Sequence, residues 1–572
     1  MSNHKISYQV LTTPFEKDIS DIPYDVYPRP CLKRDSYMSL NGVWELSVKY
    51  KNKELYHGDI LVPFPPESKI SGVCRAFPYK ALLTYRRKFS FDEGFVKDKV
   101  LIHFGAVDRF ASVFVNGIKI CEHDGGYTPF SADITDALIA GENEIEVNVF
   151  DDLNTDYPYG KQSKKRGGMW YTPISGIWQS VWIESVCCNY IQGLKITADT
   201  RSVTVKVIGG AKKKTLCICI NGEEKRYDFT GEGITVHIPD GRLWTPDDPF
   251  IYKFAVVSGN DRVESYFALR TVSIGKQNGM PCILLNGKPI FMHGLLDQGY
   301  FSDGIYTPST PDGYKNDILT VKRLGFNMLR KHIKLEPELF YYYCDIYGML
   351  VWQDIINSGK YNFLIDTALP TIGLKRGIKH SASKKRREIF EKTARETVEL
   401  LHDHPSVVYY TIFNEGWGQY DADRIYGELK RLDPTRIYDA TSGWFAEKQS
   451  DVKSLHVYFK PVRIKRSIDK PIVLSEFGGY SYKIKEHSLN MDKTYGYKLF
   501  DDREAFESAI EGLYRNEIIP AIENGLCATV LTQVSDVEDE TNGLFTYDRQ
   551  VLKISEEKMK KISEDIYNSF KK

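Results

Sequence analysis

The chain carries no excess charge of either sign: 76 lysines and arginines stand against 76 aspartates and glutamates in 572 residues. Surfaces that hold nucleic acid or acidic lipid show surplus positive charge, so neither partner is expected. Long apolar runs are also missing. Nothing approaches the ~18 consecutive apolar residues of a membrane span. The opening stretch MSNHKISYQVLTTPFEKD holds no apolar leader core, and a cytoplasmic location is the expectation. Paired cysteines are lacking as well. The 10 cysteines are scattered with no C-x-x-C spacing, which points to free thiols in a reducing compartment and to no metal or cofactor. Cys217 and Cys219, on one strand face, read as small core residues.

What is present is aromatic. Tyr 37, Phe 29 and Trp 8 make up 13% of the chain. Most serve core and sheet packing, but flat rings also stack on the C–H face of a sugar. At this length about three to four domains are expected.

The pattern changes character twice. From about residue 30 to 185, short alternating runs such as Gly42–Tyr50, Leu83–Phe91 and Lys99–Val107 are separated by turn signals. Asn116-Gly117 between two such runs marks a tight hairpin. Residues 1–185 therefore read as a jelly-roll-like β-sandwich. Residues 186–275 repeat the β pattern, with Asn221-Gly222 marking another hairpin. Six or seven short strands in this space suit an immunoglobulin-like β-sandwich.

In residues 276–572 strands alternate with helical patterns, the mark of parallel βαβ units. Eight strands are predicted: Phe291–Asp297, Phe326–Lys331, Met349–Asp354, Val407–Glu415, Arg436–Trp444, Ser454–Phe459, Pro471–Gly478 and Leu526–Asp536. This predicts a (β/α)8 TIM barrel, with short linkers around its fifth and sixth strands. Glu415 and Glu476 close the fourth and seventh strands, each next to or near glycine. Barrel active sites lie at the carboxyl ends of the strands, so both carboxylates face one mouth. Two carboxylates flanking one bond suit glycoside cleavage.

The segments Asn414-Glu415 and Ser475-Glu476-Phe477-Gly478 resemble glycoside hydrolase family 2, which includes β-galactosidases, β-glucuronidases and β-mannosidases. SLNGVWEL (Ser39–Leu46), GGYTPFSADIT (Gly125–Thr135) and SGIWQSVWIE (Ser175–Glu184) are similar to its sugar-binding-like sandwich. The resemblance runs along nearly the whole chain. It implies an exo-acting retaining β-glycosidase, with Glu476 as nucleophile and Glu415 as acid and base. It also implies that Asn414 bonds the sugar 2-hydroxyl, and that Arg330 and Tyr458 hold the nucleophile. His456 is a weaker substrate-binding candidate. Asp297, Asp354, Trp444 and Trp417 are rim or subsite candidates. The expected partner is a small-molecule or oligosaccharide β-glycoside, and a homo-oligomer is compatible with the family.

Two departures leave the sugar open. The Glu-x-His magnesium pair of large bacterial β-galactosidases is replaced by Trp352-Gln353-Asp354, so no catalytic magnesium is expected. The Asn-x-Lys pair of familiar β-glucuronidases is not evident, and Lys331, Lys334 or Lys360 would have to replace its cation. β-Glucuronidase and β-galactosidase stand near parity. A β-mannosidase-like enzyme and an inactive carbohydrate-binding protein are the alternatives. Finally, the stretch 355–383 is long for a βα loop and ends in the basic run Lys384-Lys385-Arg386-Arg387, either a solvated helix start or part of a lid or aglycone wall.

Overall fold

The computed structural model describes residues 9–371, 374 and 381–572. A six-stranded antiparallel sheet runs in the spatial order Lys53–Val62, Gly42–Tyr50, Leu82–Phe89, Asn143–Phe150, Phe110–Val115, Ile118–Asp124. A four-stranded sheet of Tyr37–Ser39, Val181–Val186, Lys99–Phe104 and Phe130–Asp133 covers it. Alternation decides which residues meet between them. Ile145, Val147 and Val149 point inward and join Ile102, Phe104 and Ile183 from the facing sheet. Each such side chain contributes about 1.5–3 kcal/mol by leaving water.

A second sandwich sets three strands, Ile191–Ala198, Ser202–Gly209 and Gly233–His237, against four, Glu223–Thr230, Lys213–Ile220, Tyr252–Ser258 and Asp261–Phe267. It has its own apolar core. Both expected hairpins form. Asn116 and Gly117 have φ of 51° and 77°, and Asn221 and Gly222 have 54° and 82°. Two successive left-handed residues give the turn whose twist matches paired strands. The reading of Cys217 and Cys219 as core residues needs correction. The core face of their strand carries Leu216, Ile218 and Ile220, so both cysteines take the outer face, where Cys217 is buried and Cys219 exposed.

The barrel strands are β1 (Met292–Asp297), β2 (Met328–Lys331), β3 (Leu350–Asp354), β4 (Val407–Asn414), β5 (Ile437–Ser442), β6 (Lys453–Val457), β7 (Ile472–Gly478) and β8 (Leu526–Thr532). They form one parallel sheet in the order β5-β4-β3-β2-β1-β8-β7-β6. Among the described residues no backbone ladder joins β5 to β6. Outside lie α1 (Pro311–Arg323), α2 (Glu338–Tyr347), α3 (Lys384–Leu401), α4 (Ala422–Leu432), α5 (Arg503–Leu513) and α6 (Glu556–Lys571). No α-helix intervenes between β5 and β6 or between β6 and β7, which accounts for the short linkers seen in the sequence.

The first sandwich keeps its own core between its sheets, while Tyr127, Tyr171, Ile174 and Trp178 from its chain join the barrel's core. The Trp178 ring meets Tyr306 edge-on at 5.1 Å, and the Tyr127 and Tyr306 hydroxyls lie 3.0 Å apart. Among the described residues no helix is long and apolar enough to cross a membrane.

Candidate active site

Glu415 follows the last residue of β4 and has φ of 55°. A side chain rarely adopts this left-handed backbone, and such strain gathers where the surroundings over-determine a residue. Two bonds hold it. Its N–H donates to the Ser442 carbonyl at 2.9 Å, and its carbonyl accepts from the Trp444 indole at 3.1 Å. Glu476 sits within β7, two residues before its end. One oxygen of each carboxylate and Nδ1 of His456 all lie within 4.8 Å of one another.

The surroundings of the two carboxylates differ. Glu476 is buried, accepts from Arg330 Nη1 at 3.0 Å through Oε1, and accepts from the Tyr458 hydroxyl at 2.5 Å through Oε2. Burial alone would raise its pKa. His456, Arg330, His332 and the Tyr458 bond outweigh that and bring it down to about 2. Glu415 is half-buried and lies 2.7 Å from His456 Nδ1. The His456 Nε2 stands 3.0 Å from the Ser442 hydroxyl.

Arg330 organises this side of the site. It is fully buried, and burial disfavours its charge, but Asp354 at 3.0 Å and Glu476 keep it cationic. It also donates to the Ser475 carbonyl and to Asn414 Oδ1, each at 2.9 Å. With its oxygen engaged, Asn414 presents an amide N–H as its remaining polar group. Asp354 binds His332 Nδ1 at 2.7 Å as well as Arg330. Asp354, expected at a rim or subsite, is thus buried behind Arg330.

Asp297 is buried too, and its carboxylate is taken by Lys331 at 2.6 Å and the Gly299 N–H at 2.9 Å. Lys331 also binds Glu336, as does Lys334. Neither lysine is an open cation, while Lys360 is exposed. The Trp444 indole bridges the carbonyls of Asp366 and Glu415. The Trp417 indole donates to the Gly359 carbonyl at 2.8 Å, and its ring meets Tyr159 and Trp170 edge-on at 5.4 and 5.1 Å.

Those last contacts bring in residues that sequence reasoning missed. Residues 153–171 belong to the first sandwich's chain yet lie on the barrel mouth. Lys161 stands 5.6 Å from the centre of the Trp170 ring and, among the described residues, has no carboxylate within ion-pair distance. The neighbouring Tyr171 donates to Glu540, a buried carboxylate after β8 that also accepts from Asn542 at 2.9 Å. His332 was likewise passed over. An ionisable residue at the end of a buried strand was a signal for it. Lys161 carried none, because only the folded chain brings it to the site.

The loop after β3 does lie on the catalytic face, with residues 372–373 and 375–380 outside the described set. Its basic run does two things. Lys384 and Lys385 are exposed at the start of α3, capped by the Ser383 hydroxyl. Arg386 is buried and donates to the carbonyls of Ser358, Gly418 and Ser381, tying the loops after β3 and β4 together.

Family models match twice. That for the glycosyl hydrolases family 2 sugar binding domain covers residues 74–185, and that for the family 2 TIM barrel domain covers 278–480. The chain belongs to glycoside hydrolase family 2. A β-galactosidase of Thermoanaerobacter pseudethanolicus is 26% identical over 465 residues, covering 73% of this chain and 58% of that relative. A β-glucuronidase of Chlorocebus aethiops is 23% identical over 540 residues, covering 79% of this chain and 80% of its own. The β-D-glucuronidase structure of Dictyoglomus thermophilum superposes with a TM-score of 0.73 at 18% identity, over 96% of this chain and 98% of that one. The family 2 fold thus extends across the sandwiches and the barrel.

Proposed function

We propose that this chain is an exo-acting β-glycosidase that retains anomeric configuration. Glu476 attacks the anomeric carbon while Glu415 protonates the leaving oxygen. Glu415 then takes a proton from the water that releases the sugar. The observation that carries this reading is the carboxylate pair, whose nearest oxygens are no more than 4.8 Å apart. Retaining enzymes set their carboxyl groups about 5–5.5 Å apart, whereas inverting ones need about 6.5–9.5 Å to admit water. The environments fit the roles. His456, buried Arg330 and the Tyr458 hydroxyl keep Glu476 ionised, as a nucleophile must be. Asn414 offers its amide to the 2-hydroxyl. The family's division into a sandwich to about residue 185, an immunoglobulin-like unit to about 275 and a catalytic barrel is part of the proposal.

For the sugar, Lys161 favours a uronide, since it lies beside Trp170 at the mouth and, among the described residues, has no ion-pair partner. Buried Glu540 close by favours a neutral galactoside, because it repels a second carboxylate. A panel of nitrophenyl β-glycosides, read as kcat/KM with NMR of the first-formed sugar, tests both levels. The expected first product is the β anomer; an α anomer would overturn the mechanism. Lys161→Gln is expected to lower kcat/KM on the glucuronide at least about tenfold more than on the galactoside. Equal losses would remove the uronide reading.

A further inference from the structure

A second cluster of donors lies far from the proposed catalytic pair, where the chain's opening segment meets the barrel and the second sandwich. Cys31, in the turn Pro30–Leu32, places Sγ 3.8 Å from Nε2 of His404, which lies just before β4. Glu338, the first residue of α2, turns its carboxylate toward both. One donor atom from each of the three lies within 4.8 Å of the others. Cys31 and His404 are buried and Glu338 is half-buried.

The imidazole is set from behind. Its Nδ1 lies 2.7 Å from Asp345 Oδ2, and Asp345 is itself fixed by the Tyr266 hydroxyl at 2.7 Å and the Ser406 N–H at 2.8 Å. A carboxylate can only accept here, so Nδ1 carries a proton, and Nε2 is the nitrogen that faces Cys31 and Glu338. This carboxylate–histidine arrangement is the outer support that metal-bound histidines use. The Glu338 carboxylate has no ion-pair partner among the described residues. Arg29, whose charge reaches Glu338, is engaged by Glu184 at 2.9 Å. Burial pushes the Glu338 carboxyl up to about 7 and raises the Cys31 thiol. Two acids and an imidazole are thus gathered in a partly dry place.

We infer that Cys31, Glu338 and His404 form a site for a zinc-like divalent cation that fastens the opening segment to the barrel. The donor set is sulfur, nitrogen and oxygen, the mixture zinc prefers. Tetrahedral zinc with ordinary bond lengths holds its sulfur and nitrogen about 3.6 Å apart, so the 3.8 Å observed needs little adjustment. Thiolate and carboxylate together neutralise a doubly charged ion. Glu338 also lines a surface cleft with Pro28 and Leu400, which gives the ion an entry and its fourth position a water. Binding forms the metal–sulfur, metal–nitrogen and metal–oxygen bonds and releases to solvent the proton that thiol and imidazole share and, where Glu338 is protonated, its carboxyl proton as well. No electrons are transferred. Affinity therefore falls as pH is lowered.

The test uses the full chain after chelator treatment, titrated with Zn2+ and separately with Co2+. One equivalent of Zn2+ is expected to bind at micromolar concentration and raise Tm. Co2+ is expected to give a thiolate-to-cobalt charge-transfer band. Cys31→Ser should abolish the band and weaken binding at least about a hundredfold, and Glu338→Gln should weaken it about tenfold, with both variants keeping the native circular dichroism. Absence of stoichiometric binding would leave only a thiol hydrogen-bonded to a histidine and would overturn the site. So would binding that survives Cys31→Ser, or binding lost instead in Glu476→Gln, which would place the ion at Glu415, His456 and Glu476. None of these outcomes bears on the glycosidase reading, which stands or falls on the glycoside panel.

Discussion

Tyr458 is a single hydroxyl, yet it decides much about Glu476. It donates to one carboxylate oxygen while Arg330 serves the other. Its ring is held by stacking on Tyr497 at 4.0 Å, so the hydroxyl has little freedom to leave. Because the Glu476 pKa is depressed on folding, the stability this group contributes is present above the ordinary value near 4.5. It is lost as pH falls from there toward about 2. Tyr458→Phe removes one lowering contribution, so the pKa of Glu476 rises. The expected outcome is an acid limb of kcat/KM moved to higher pH, with kcat down about 10- to 100-fold. A pH–rate profile of the variant against the parent checks it, and an unmoved acid limb would remove Tyr458 from the nucleophile's support. Much of this residue level was legible beforehand. Glu415, Glu476, Arg330, Asn414 and Tyr458 all sit near the ends of recognisable strands, and the structure gathers them. Sequence makes Asp297 and Asp354 rim or subsite candidates because it gives a strand end but not the direction of a side chain. Both turn inward to buried cations.

At the level of elements, the loops after β3 and β4 are joined by Arg386 more than by their own backbones. Three carbonyls accept from its guanidinium, and a buried carbonyl left without a donor costs about 1–3 kcal/mol. Arg386→Met should loosen both loops together. Faster hydrogen exchange is expected in residues 355–366 and 416–420, with kcat/KM lowered about tenfold and the barrel strands unchanged. Exchange confined to one loop would show that the two are held independently. The sequence showed a basic run here, and a charge run ordinarily lies in water. Only Arg386 departs from that, because helix α3 turns its third residue inward while Lys384 and Lys385 stay outside. Hairpins and strands were more readable. Asn-Gly turns and two-residue alternation are local signals, and all eight barrel strands fall where the apolar runs are.

For the whole molecule, the apolar contact by which Trp178 and its neighbours enter the barrel's core matters most. Trp178 is fully buried, bonds the Gly126 carbonyl through its indole, and packs on a tyrosine from the loop after β1. The interior of each sandwich is a core of its own. Calorimetry is expected to show first sandwich and barrel melting in one transition. Trp178→Ala should shift that transition down by about 3–5 kcal/mol of stability without dividing it. Two resolved transitions for these parts would show that the Trp178 contact does not couple them. None of this could be read from local pattern. Residues 153–171 are sandwich by sequence position and active-site wall by location, and a hundred or more residues separate Lys161 from its neighbours on the barrel.

The unpaired edge between β5 and β6 has its own consequence. Where the backbone offers no ladder, Ser442 reaches His456, Ser442 reaches Ser475, and His456 reaches Glu415. Side chains stitch the cylinder shut at the place where backbone bonds do not. The histidine beside the proposed acid is therefore also a rivet of the architecture. Any change that alters how it serves the reaction also alters how firmly the barrel is closed, so at this seam catalysis and structural integrity cannot be adjusted separately.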